Sequence, residues 1–245
     1  SDLTISNTKW TFMPSLKISP HFAACGEKMK RSRFLIGTLL LGAAMVAFGV
    51  LANDGKKTNE PSKAATANAS SLIRFHSPAT GPAGAKVTIV EFFDPSCEAC
   101  RAFYPHVKAI LAENPAQVRL VLRYAAFHKD SGLVVKMLEA TKSQGLYWQA
   151  LEATLKSQPV WADHGKPQVQ ALWNVLAPVG VDVEKAKRDM ESTRIAEILK
   201  QDMADGVALE VERTPTFYVN GKLVSPVTPD GLRAKVREQI NAAYP

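Results

Sequence analysis

Cysteine is scarce in this chain: 245 residues contain three, Cys25, Cys97 and Cys100. So low and odd a count excludes a disulfide-stapled module. A Cys97 to Cys100 bond would close too short a loop to stabilise the fold much through the unfolded chain. A second cysteine pair, which would complete a closed four-cysteine zinc site, is also missing. Charge imbalance is small past residue 52, where 24 Lys and Arg face 21 Asp and Glu. No basic run interleaved with aromatics occurs there either, so the formal +7 of the whole chain is not a nucleic-acid footprint.

The surplus of positive charge lies at the N-terminus. Lys30, Arg31 and Arg33 precede an uncharged run of 18 residues at 34–51, apolar but for Thr38. A basic stretch before such a run, ending in Val50-Leu51-Ala52, reads as an export signal over 29–52. The run is also just long enough to cross a bilayer, so an uncleaved membrane anchor through 34–51 stays open beside a cleaved signal. Either reading puts the rest of the chain in the periplasm or another extracytoplasmic space, soluble or anchored to the inner membrane. Residues 1–28 are expected to be an upstream extension foreign to the physiological product, because Gly26-Glu27 before Lys28-Met29 could be encoded by a ribosome-binding sequence. Cys25, in FAAC at 22–25, lacks the preceding apolar stretch of a lipidation site.

From 53 to 71 the chain is polar and rich in small residues, as in a flexible linker. A folded domain is expected over 72–245. KVTIVEFF at 86–93 is apolar on both faces, the pattern of a central strand covered on both sides. The stretch 97–113 carries a helical stripe of Phe103, Val107, Ile110 and Leu111, and VRLVLRY at 118–124 is a second strand, which together make a right-handed βαβ unit. A helical stretch follows at about 131–209, with breaks expected near Gly145, Pro159, Pro167 and Gly180, and with Trp148, Trp161 and Trp173 as packing residues. In TFYVNGKLV, Asn220-Gly221 between two apolar runs signals a type I′ hairpin. An amphipathic helix closes the chain at about 229–243.

The chemistry lies in EFFDPSCEAC, 91–100. A Cys-x-x-Cys at the head of a helix sets its first sulfur among unpaired backbone N–H groups at the positive end of the helix dipole. That setting favours thiolate and lowers the pKa, so Cys97 is the natural nucleophile. Cys100 lies one turn further on the same side, where it can resolve a mixed disulfide formed at Cys97. Glu91 shares a strand face with Val87, Ile89 and Phe93, and a carboxylate buried there should have a raised pKa.

Strand, turn and helix in VEFFDPSCEAC, the helical stretch, and TPTF before the hairpin resemble the DsbA-like bacterial thiol:disulfide oxidoreductases of the thioredoxin superfamily, over roughly 72–245. The resemblance implies an α/β thioredoxin fold with a helical insertion between its βαβ half and its cis-proline/hairpin half. It implies an exported oxidoreductase that exchanges a Cys97–Cys100 disulfide with substrate cysteines as an oxidase, with no cofactor beyond that disulfide and no metal. Thr214-Pro215 matches the family's cis-proline site, where a backbone edge can pair with substrate chain, and Pro105 its active-site helix proline. Glu91 matches the family's buried acid, a proton acceptor for Cys100. The implied partners are unfolded or partly folded exported proteins with cysteines, and a membrane redox partner that resets the disulfide.

The sequence departs from the strongest oxidases at Glu98-Ala99, where they carry Pro-His. Negative charge at Glu98 should stabilise the thiolate less and make a milder oxidant. Two other readings stay open: a disulfide isomerase or reductase kept reduced by a membrane partner, and a copper- or zinc-binding module using the pair. The second would need His106 and His128 to converge on the cysteines, whereas His128 in FHKDS reads more simply as a strand end or a cap of the next helix.

Overall fold

The computed structural model describes residues 69–163 and 166–245. The signal, anchor and extension expected before residue 53, and nearly all of the linker, lie outside the described residues. The first described element is α1 (Ala69–Leu72), and Leu72, where the folded domain is expected to start, is buried.

β2 (Val87–Phe93) is buried along its whole length, as its two-sided apolar pattern requires. After it comes α2 (Glu98–Glu113), and β3 (Val118–Tyr124) returns parallel to β2, from Val87 opposite Val118 to Phe93 opposite Tyr124. This is the expected βαβ unit. The chain then leaves the sheet through α3 (Ser131–Ala140), α4 (Tyr147–Trp161), α5 (Leu172–Leu176), α6 (Val183–Asp189) and α7 (Thr193–Ala208). It returns as β4 (Thr216–Val219), antiparallel to β2 on the side away from β3. Asn220 and Gly221 take positive φ, 48° and 80°, and turn β4 into β5 (Lys222–Leu223). α8 (Pro229–Ala243) closes the chain, its first turn capped by the Thr228 hydroxyl, which accepts from Gly231 N.

Two features differ from the sequence reading. β1 (Ala79–Thr80) adds an antiparallel edge to β3, and two residues are too few for a period to be read. Pro159 does not break the chain but lies inside α4, two residues before its end. A proline removes one helical hydrogen bond, and side chains serve neighbouring carbonyls there. Ser157 Oγ donates to Ala153 O and the Trp161 indole donates to Thr154 O.

The strand order β1-β3-β2-β4-β5 makes a mixed sheet with β2 at its centre. One face, with Ile89, Phe93, Leu120, Leu122 and Phe217, packs into the main core with α2, α8 and the insertion. The other, with Val90, Phe92, Val121 and Tyr218, is covered by Leu72 and Val211. The architecture is a thioredoxin-like fold with the expected helical insertion, and it brings the end of central β2 and the head of α2 together at one end of the sheet.

Candidate active site

The turn between β2 and α2 is built on a buried carboxylate. Asp94 is fully buried; its Oδ1 accepts from Ser96 N at 2.8 Å and Ser131 Oγ at 2.5 Å. Its Oδ2 accepts from Phe127 N at 2.7 Å, His128 N at 3.0 Å, and His128 Nδ1 at 2.8 Å when that nitrogen carries the proton. One side chain therefore fastens the cysteine turn to the loop after β3. A second fastening comes from α4, where Gln158 Nε2 donates to Pro95 O at 2.8 Å and Cys97 O at 3.1 Å.

Held this way, Cys97 is the N-cap of α2. Both cysteines are buried free thiols. The Cys97 pKa is pulled down to about 5, chiefly because the Cys100 thiol hydrogen-bonds its sulfur; burial opposes this, and the Thr214 side chain and the backbone N–H groups of Cys100 and Ala99 add to it. These amides are the unpaired donors at the helix head that the motif's position predicts. Cys97 Sγ also lies 3.3 Å from the Thr214 carbonyl, an acceptor that suits the protonated thiol only. Cys100 is pushed the other way, well above the usual thiol range, first by burial and then by its bond to Cys97 and the charge of Glu91. Two thiols three residues apart thus differ sharply in acidity, and the more acidic one is the better thiolate nucleophile.

Glu91 sits on the main-core face of β2, opposite Leu122 on β3 and Phe217 on β4. Burial between apolar neighbours is the larger cause, and the Cys97 charge the smaller, that push its pKa up to about 8. Its charge in turn acts on Cys100, so the acid and the resolving thiol share one electrostatic neighbourhood. At neutral pH this carboxyl holds a proton and can give it up near pH 8.

The Thr214–Pro215 peptide is cis, as is Ser225–Pro226, which the sequence reading did not single out. Beside them runs a groove of about 590 Å³, lined by Ala99, Phe103, Thr214, Pro215, Tyr218 and Val227. Apolar side chains and the charged Glu210, Glu212 and Arg213 line it together, and the Thr214 carbonyl lies beside the Cys97 sulfur.

Of the residues singled out from the sequence, Cys97, Cys100, Glu91, Thr214 and Pro215 come together. Glu98 and Ala99 are exposed at the helix head, Ala99 giving its amide to Cys97. Pro105 lies within α2. His128 does not cap α3 with its side chain; Asp130 holds the N-cap position, and the imidazole goes to Asp94 instead. His106 stacks edge-on against Phe103. Among the described residues no three His, Cys, Asp or Glu side chains gather as a metal cluster. Asp94, Ser131 and Gln158 were missed as site residues, and His128 was weighed only as a metal ligand, a strand end or a cap, because three chain segments must fold together before they meet. The one local signal was an acid, Asp94, ending an apolar strand.

A family model described as thioredoxin matches residues 75–238. The chain is 30% identical over 154 residues to a probable disulfide bond formation protein D of Bacillus anthracis, covering 60% of this chain and 70% of that one. It is 29% identical over 142 residues to a Na(+)/H(+) antiporter NhaA of Herminiimonas arsenicoxydans, but spans only 22% of that protein's length. A solved thioredoxin-like oxidoreductase from Silicibacter pomeroyi DSS-3 superposes with a TM-score of 0.61 at 28% identity, over 72% of this chain and 98% of its own. The chain belongs to the thioredoxin superfamily, among its DsbA-like members.

Proposed function

We propose that this chain is an extracytoplasmic thiol:disulfide oxidoreductase that works as an oxidase of exported proteins. The observation that carries the reading is the split acidity of the pair, with Cys97 near 5 and Cys100 well above the thiol range. A substrate thiolate attacks Cys97 Sγ of the Cys97–Cys100 disulfide, and Cys100 leaves, taking the proton held on Glu91. A second substrate thiolate attacks the substrate sulfur of the mixed disulfide, and Cys97 departs as a thiolate. Two electrons pass from the substrate dithiol to the pair, and an oxidised membrane partner takes them away again. A low Cys97 pKa supports this direction, since a stabilised leaving thiolate favours the reduced pair and so makes the disulfide a stronger oxidant. The groove along Thr214-Pro215 would hold unfolded or partly folded substrate chain.

The test is turnover of a reduced cysteine-containing protein, followed by trapping. Cys97→Ser is expected to abolish oxidation, and Cys100→Ala to accumulate mixed disulfides at Cys97. Retained turnover in the first variant overturns the reading. The equilibrium with glutathione decides direction: a pair that glutathione reduces readily is an oxidant, and one that stays oxidised is not.

A further inference from the structure

Asp94 does more than brace a turn, because of what it holds. Its Oδ2 is within 2.8 Å of His128 Nδ1 and also accepts from the backbone N–H of His128, so ring and backbone are fixed together. On its other oxygen Asp94 accepts from Ser96 N, and its backbone carbonyl accepts from Cys97 N at 3.1 Å. Ser131 Oγ, three residues past the histidine, donates to Asp94 and lies 2.7 Å from Ser96 Oγ. The imidazole is thereby locked to the same turn that positions the nucleophile. About a third of its side chain remains exposed, beside a cavity of about 150 Å³ that it lines with Ser96, Lys129 and Asp163.

We propose that His128 is a positioning cation for the Cys97 thiolate, held by Asp94 and supplying from the loop after β3 a positive charge that Glu98-Ala99 does not provide. The inference rests on the oxidoreductase reading and deepens it by naming what tunes the nucleophile. Burial works against a charged imidazole here, but its pKa is nevertheless raised by the Asp94 bond and by the charges of Asp94, Cys97 and Glu98. Among the described residues, the charged groups around it are Asp94 at the end of β2, Cys97 and Glu98 at the head of α2, Lys129 beside it, and Asp163 beyond α4. The carboxylates and the Cys97 thiolate among these groups favour the imidazolium, in the direction of the raised pKa. Coupling between two titrating groups is reciprocal: if the Cys97 thiolate raises His128, the imidazolium lowers Cys97 by the same free energy. Because the imidazolium also faces Glu98, it screens the charge expected to oppose the thiolate.

The experiment uses the full chain in both redox states. His128→Gln is expected to raise the Cys97 pKa, read as thiolate absorbance against pH. The variant's equilibrium with glutathione should move about two- to fivefold toward the disulfide, a modest factor because the Cys100 thiol and the helix amides act more strongly. A folded variant with unchanged pKa and unchanged equilibrium overturns the proposal and leaves a structural histidine. If the variant does not fold, the wild-type protein decides. The His128 imidazole, titrated by NMR, should have a pKa about half a unit higher in the reduced than in the disulfide form, and equal values overturn the proposal. A wild-type pair that does not exchange with glutathione at all would instead overturn the oxidoreductase reading, so the two failures are distinct.

Discussion

At Glu91 a single strand position joins burial to a raised pKa, which is what the proposed proton transfer requires. A carboxyl enclosed by Leu122, Phe217 and the cysteines must either stay protonated or charge at a high cost, and its pKa of about 8 reflects that balance. Glu91→Gln keeps the shape but cannot release or take up the proton. Attack of Cys100 on a mixed disulfide is then expected to slow by about a hundredfold near neutral pH, the lower end for general acid–base catalysis. The native rate should rise through pH 8 and the variant's should lack that step, as rapid mixing with a thiol peptide would reveal. An unaltered profile would remove Glu91 from the mechanism. The period of two along 87–93 was enough to put this acid on the core face. By contrast, nothing local marks Gln158 on α4 or joins His128 to Asp94, because these partners lie tens of residues apart in sequence.

Among the elements, a buried ionic junction lies where α7 crosses β3. Arg123 is fully buried on the face of the sheet away from the cysteines. Its Nε donates to Asp202 Oδ1, its Nη2 to Asp205 Oδ2, and its Nη1 to the carbonyls of Ser71 and Leu72. Asp202 also accepts from Tyr124 N and pairs with His76, while Asp205 pairs with Arg74. The network ties the segment entering the domain to both the insertion and the sheet. Removing one partner strands buried charge, which is more costly than never having placed it there. Arg123→Met is therefore expected to lower stability by about 3–5 kcal/mol in urea unfolding, while the Cys97 pKa stays near its native value. A loss below about 1 kcal/mol would show that the carboxylates find other partners. Strands, hairpin and end helices were legible because their periods and turn residues are local. Arg123 was not, since an arginine in VRLVLRY looks like a solvent-facing residue until α7 supplies its two acids.

For the whole molecule, redox state and stability are linked through protons. The Cys97 thiol titrates near 9 when unfolded and about 5 when folded. Between these values the unfolded reduced chain binds a proton that the folded one does not, and stability rises with pH by up to about 1.4 kcal/mol per unit. Glu91 has the opposite sign: its folded pKa of about 8 exceeds the ordinary 4.5, so the folded chain holds the extra proton and stability falls as pH rises across that window. In the reduced protein the two slopes nearly cancel from pH 5 to 8. In the disulfide form the Cys97 contribution is gone, and burial leaves the Glu91 slope in place. The reduced form should therefore gain on the oxidised one by about 1.4 kcal/mol per pH unit between pH 5 and 8, measured by urea unfolding of both forms. Cys97→Ser should follow the falling Glu91 branch alone. A gap between the two forms that does not change with pH would mean that the folded protein does not hold Cys97 as a thiolate, and the argument for an oxidase would lose its main support.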